Sequence, residues 1–215
     1  MKTTNYFDPQ RKGGSIQTQS GVIFYPLDPL LEDIVLEDVA HALSNKCRFT
    51  GHTRSFYSSG EHAVRVALDI ANVGGDYLDQ LGGLHHDDTD SYLPDVPTPL
   101  KVLPEFAWFR DLEHYMQDLC FLKFNCIDIN HSLIKRSDIR MLLTEKRDLM
   151  PEKNSNWNHS YTEEAVPHPY KIKPLKPKEA EAFYLELHHA LTCAINGDDE
   201  HYKAFKNVFI QNHST

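Results

Sequence analysis

The sequence predicts an all-α single domain, and two observations carry that reading. Its 215 residues are 40% hydrophobic and 11% aromatic, enough apolar material for one substantial core. Its apolar residues also recur at helical spacing in several separate runs, one of them preceded by a capping signal, and no internal repeat is present.

Taken in order, residues 1–20 are polar, include Arg11-Lys12-Gly13-Gly14-Ser15 and lack the apolar centre of a signal peptide. They read as an N-terminal arm, with the domain proper at 21–215. Residues 21–29 form a short apolar run stopped by Pro26 and Pro29, expected as an extended segment packed on the helical body or walling a pocket. Leu36, Val39, Ala40 and Leu43 lie on one stripe, which predicts an amphipathic helix over 36–44. Ser58 and Glu61 have the spacing of a capping box, so a helix is expected to run from there to about Ala71 with His62 in its first turn.

Residues 76–84 lead into another helix, read here as continuing through His86 and Asp87. Residues 105–122 and 133–150 are long helical patterns. The first carries Phe106, Trp108, Phe109, Tyr115 and Phe121, which suit a core or a subunit interface. Residues 153–177, with Pro167, Pro169, Pro174 and Pro177, predict a long loop able to serve as a lid. The last helices, about 177–196 and 199–210, would pack Phe183, Leu185, Leu187 and Ala190 onto the body.

A formal charge of −9 argues against a nucleic-acid partner, because non-specific backbone binding needs a basic surface. No stretch approaches the roughly 20 apolar residues of a membrane span. Cys47, Cys120, Cys126 and Cys193 show no metal-knuckle spacing, so reduced thiols in a cytoplasmic protein are expected.

The chemistry concentrates in Leu84-His85-His86-Asp87-Asp88-Thr89-Asp90, followed by the proline-punctuated Pro94-Asp95-Val96-Pro97-Thr98-Pro99-Leu100-Lys101. His86 and Asp87, on neighbouring helical positions, can reach one ion, since the long imidazole and short carboxylate compensate for the roughly 100° between successive side chains. One dipeptide cannot complete a coordination shell. His62 and Asp138, on two other predicted helices, are the further candidates, and the four make an N2O2 set suited to Mn, Co, Fe, Ni or Zn. The loop Cys47-Arg48-Phe49-Thr50-Gly51-His52-Thr53-Arg54 offers arginines and hydroxyls for phosphate, and Asp90, four residues after His86, would share its helical face.

The order His, then His-Asp, then Asp, with Arg48-Phe49 upstream and Asp95-Val96-Pro97-Thr98-Pro99-Leu100-Lys101 downstream, resembles the HD-domain phosphohydrolases. Within them it is most similar to the branch of deoxyribonucleoside 5′-monophosphatases and phage-type deoxynucleoside triphosphohydrolases, including dATP-specific ones, over roughly 24–150. The resemblance implies an HD-type helical bundle binding a small deoxynucleotide and cleaving at its 5′-phosphate. It implies His62, His86, Asp87 and Asp138 as metal ligands, Arg48 as the phosphate-binding arginine, and Phe49 beside it against sugar or base. It further implies Asp90 as the acid that manages protons, where the family usually has Glu, Asp95 as acceptor of the sugar 3′-hydroxyl, and Lys101 on phosphate. A second ion such as Mg would accompany a triphosphate, and a homo-oligomer, dimer or larger, is expected. Two other classes stay open: a non-catalytic nucleotide-binding HD protein, suggested by Asp at position 90, and a dinuclear-iron HD oxygenase, for which His114 and His131 would supply further ligands.

Overall fold

The computed structural model describes residues 10–151 and 166–213. The described chain is all-α: α1 (Leu36–Asn45), α2 (Ser59–Asn72), α3 (Tyr77–Leu84), the single turn α4 (Thr98–Lys101), α5 (Ala107–Lys123), α6 (His131–Leu149), α7 (Pro177–Ile195) and α8 (Glu200–His213). One two-stranded antiparallel hairpin, β1 (Ile16–Gln17) with β2 (Ile23–Phe24), accompanies them. No helix among the described residues is long and apolar enough to cross a membrane.

The bundle is built around α2, which contacts α1, α3, α6 and α7. Every residue from Ser59 to Ile70 is buried, so α2 is a central helix whose ionisable groups must each find a partner. Glu61 pairs with Arg65 (2.7 Å), His62 with Glu145, and Asp69 with His168 (2.9 Å) and Arg140 (3.4 Å). Close approach of α1 is possible because Gly60 lacks a Cβ, which would stand 2.5 Å from Ser44 Oγ.

Helix ends follow local chemistry. The Ser58 hydroxyl accepts from Glu61 N–H (3.0 Å), but the capping box is only half made: the Glu61 carboxylate binds Arg65 and the Leu175 N–H instead. Asp76 and Asn130 cap α3 and α6 in the same manner. The α7 terminus closes as a Schellman motif around Gly197 (φ 97°), with Asp198 N–H on Cys193 O and Gly197 N–H on Ala194 O.

One expectation is corrected, and one open alternative is decided in favour of packing on the body. The boundary at residue 20 falls inside the β1–β2 hairpin, and part of the expected arm is fixed to the body, with Arg11 paired to Asp28 (2.7 Å) and Ser20 Oγ donating to Asp38 (2.7 Å). Phe24 is fully buried and stacked on Tyr92, a core role rather than a pocket wall. Of the α5 aromatics, Phe109 is in the core while Trp108 and Tyr115 are exposed. The greater part of the expected lid, 152–165, lies outside the described residues. Residues 166–175 form a strap tied to α2 and α6: His168 N–H donates to Thr144, Ile172 N–H to Asp148 and Leu175 N–H to Glu61, all within 2.9 Å.

Candidate metal centre

Four side chains from three places in the bundle converge. His62 stands in the first turn of α2, wholly enclosed. Its Nε2 lies 3.4 Å from His86 Nε2, 3.3 Å from Asp138 Oδ1 and 3.9 Å from Asp87 Oδ2, while His86 Nε2 is 3.3 Å from Asp87 Oδ2 and 3.9 Å from Asp138 Oδ1. Donor atoms of His62, His86 and Asp87 all fall within 4.8 Å of one another, and Asp138 joins through its contacts with the two histidines. The structure therefore brings together all four residues the sequence nominated. Side-chain exposure rises from 0% at His62 through 10% at His86 and 18% at Asp138 to 34% at Asp87, so the cluster opens to solvent on the Asp87 side.

The histidine orientations fit a cation. The His86 Nδ1 donates to the Gly83 carbonyl (2.7 Å), and His62 Nδ1 donates to the Glu145 carboxylate (2.6 Å). Each Nδ1 is thereby committed as a donor, which presents both Nε2 lone pairs and two carboxylates to one point. Such a convergence of acceptors is stabilised by an ion or a proton. Burial and Arg48 act to lower the His62 pKa, but Glu145 and Asp138 outweigh them and raise it to about 9. A divalent ion would compete with that proton for Nε2.

Glu145 went unrecognised in the sequence. Its fully buried carboxylate also accepts from Tyr57 OH (2.9 Å) and Arg48 Nε (3.2 Å); burial would raise its pKa, but Arg48 and His62 reverse this and hold it below the usual range. A signal existed, because Glu145 lies seven residues after Asp138 and so on the same face of α6.

The helical placement of His86 and Asp87 is corrected. The helix α3 stops at Leu84, and both residues lie in the turn that follows, ahead of a 3-10 segment at Asp88–Ser91. The turn is held by the residues around it. His85 Nδ1 meets Asp88 (2.7 Å), Tyr184 OH donates to Asp88 (2.6 Å), His85 Nε2 meets His188 Nδ1 (2.8 Å), and the His85 ring stacks on Phe124. His85 is thereby committed to holding the turn, with both ring nitrogens engaged by Asp88 and His188.

Asp90 is accordingly not on a helical face shared with His86. It stays close through the 3-10 turn, its N–H donating to Asp87 O (3.0 Å). Burial first, then Asp87, raise its pKa to about 7, against the pull of Lys46. Lys46, also unrecognised in the sequence, donates from Nζ to the carbonyls of Asp90 and Leu93 and fixes this loop to the end of α1.

Among the expected phosphate ligands, Arg48 is already engaged, with Glu145 and with Asp87 (3.5 Å), and Lys101 donates to Glu113 (2.6 Å). Phe49 and Thr50 both adopt positive φ (53° and 54°), a costly backbone for non-glycine residues, directly after Arg48. The Arg48 guanidinium lies over the Phe49 ring at 5.7 Å. Asp95 is exposed in the proline-bounded loop. His114 and His131 are exposed on α5 and at the start of α6, whereas the cluster is buried or half-buried.

No protein-family model matches the chain. It is 33% identical over 180 residues to the uncharacterized protein YfdR of Escherichia coli, covering 82% of this chain and 95% of YfdR. It is 28% identical over 182 residues to the uncharacterized protein RCAP_rcc00048 of Rhodobacter capsulatus, covering 80% of this chain and 92% of that protein.

Proposed function

We propose a metal-dependent phosphohydrolase activity, of the HD-domain kind and directed at the 5′-phosphate of 2′-deoxynucleotides, for this chain, which belongs to the same family as Escherichia coli YfdR. The observation that carries the proposal is the convergence of His62, His86, Asp87 and Asp138, with each histidine anchored through Nδ1. An N2O2 set open on one side suits Mn, Co, Fe, Ni or Zn and leaves positions for water and substrate. When bound, such an ion supplies a Lewis acid that polarises the phosphoryl group and lowers the pKa of a water.

The chain's own residues would do the rest. Glu145 and Gly83 O set the histidine tautomers. Arg48, between Asp87 and Glu145 at the rim of the cluster, is placed to exchange its Asp87 contact for a phosphate oxygen. Asp90 would hold or deliver a proton at the water or leaving oxygen, with Lys46 fixing its backbone. Asp95 and Lys101, in the loop beyond, would contact sugar and phosphate, and a triphosphate would bring Mg with it.

A panel of deoxy- and ribonucleotide mono- and triphosphates, each with Co, Mn, Zn and Mg, tests the proposal. Release of nucleoside with phosphate or triphosphate, favouring deoxy substrates, is expected. Nucleotide binding without turnover under any metal would move the chain to the non-catalytic class.

A further inference from the structure

We propose a second transition-metal site, separate from the His62 cluster, on the outer face of the α7–α8 hairpin, formed by Glu186, His189, Cys193 and His201. Glu186, His189 and Cys193 are spaced i, i+3 and i+7 on α7, one stripe of that helix. The opposite face carries Tyr184, Leu187, Leu191 and Ala194 into the core, and His188 points inward to His85, so the stripe faces away from the first centre. His201 comes from the first turn of α8, which the Schellman turn at Gly197 and the Phe183 contacts with Phe205 and Phe209 fold back against α7.

The donors stand in two pairs. His189 Nε2 is 3.7 Å from Cys193 Sγ, His201 Nε2 is 3.8 Å from Glu186 Oε1, and the two imidazoles meet edge to face with ring centres 5.5 Å apart. In a tetrahedral zinc site, Zn–N of about 2.0 Å and Zn–S of about 2.3 Å put the N and S donors about 3.5 Å apart, so the first pair already has the separation that one ion requires. Two ligands four residues apart on a helix are also the arrangement by which His-x3-His motifs grip zinc. The second pair stands a few tenths of an ångström wider than a shared ion needs. Glu186, His189 and His201 are exposed, and the two pairs would have to swing together by side-chain rotation to share one ion.

Two imidazoles, a thiolate and a carboxylate form an N2SO set, which selects borderline-soft ions such as Zn over Mg or Ca, whose preference is for oxygen. Bound there, the ion would fasten α8 to α7.

The test uses cobalt as an optical stand-in for zinc on the full chain. The first centre has no sulfur ligand, so thiolate-to-cobalt charge-transfer absorption reports the second site alone. Wild type is expected to bind two ions and to show that absorption. Cys193→Ser should abolish it and drop the stoichiometry to one, His189→Ala and His201→Ala should each weaken the second site at least about tenfold, and Asp87→Ala should leave the absorption in place. Zinc should also slow hydrogen exchange in α8 of wild type and not of Cys193→Ser. Absence of the charge-transfer band in wild type, its persistence in Cys193→Ser, or an affinity indifferent to both histidines overturns the proposal.

Discussion

The Glu145 carboxylate lies 2.6 Å from His62 Nδ1, so the imidazole nitrogen facing away from the cluster rests on an acid contributed by α6. An outer partner of this kind sets ring orientation and raises the basicity of the opposite nitrogen. Glu145→Gln should therefore lower transition-metal affinity about 10–100-fold, the usual effect of losing such a partner. Glu145→Ala should also cost about 3 kcal/mol or more in stability, because Arg48 and Tyr57 would keep buried donors without their acceptor. Calorimetric metal titration and urea unfolding separate the two effects, and an unchanged affinity in Glu145→Gln would remove Glu145 from the centre.

His86→Ala and Asp87→Ala should each abolish metal binding at the His62 cluster and hydrolysis together, since a four-ligand shell that loses one member forfeits affinity and geometry at once. Equilibrium dialysis with Mn or Co in a Cys193→Ser background, which leaves only the His62 cluster to be counted, reads both beside the nucleotide panel. Full activity in either variant would end the metal-site reading.

The legible parts of this molecule were those written in local sequence. Periodicity located α1, α5, α6 and α7 to within a few residues, and the Ser58 cap placed His62 in the first turn of α2. The illegible parts depend on tertiary contacts. Where α3 stops is decided around His85, whose partners Tyr184 and His188 lie about a hundred residues downstream, so the turn carrying His86 and Asp87 looked like continuing helix. Lys46 reaches Leu93 and Asp90 across the bundle and has no local signature. The arginine at position 48 was singled out for phosphate, yet its ion pairs to Asp87 and Glu145 could be seen only once three segments were folded together.

Asp90→Asn should leave metal and nucleotide bound while slowing turnover by roughly 10²–10⁴, the contribution of a positioned proton transfer. Asp90→Glu lengthens the reach by one methylene from the same fixed backbone. Should Asp90→Asn hydrolyse at the parent rate, the role passes to another acid. Asp88 is a poor substitute, because its two oxygens already meet Tyr184 OH (2.6 Å) and His85 (2.7 Å), which leaves Asp95 as the next residue to vary.

His188 gives the fold a defined acid sensitivity. Burial first, then the neighbouring His85 and His189, push its pKa down to about 3, against about 6.5 in an unfolded chain. The unfolded chain therefore binds this proton from about pH 6.5 downward while the folded one does not, so stability rises with pH across that window. The contribution is fully present above about pH 6.5 and is lost as pH falls toward 3, at up to about 1.4 kcal/mol per pH unit. Asp90, with its raised pKa, acts in the opposite sense over part of the same range, and comparing two proteins that both keep Asp90 cancels it. Urea unfolding of wild type and His188→Asn at pH 7, 6 and 5 should show wild-type stability falling more steeply, with the two lines separating by about 2 kcal/mol between pH 7 and 5. Parallel lines would mean that His188 takes up its proton in the folded protein as readily as in the unfolded chain.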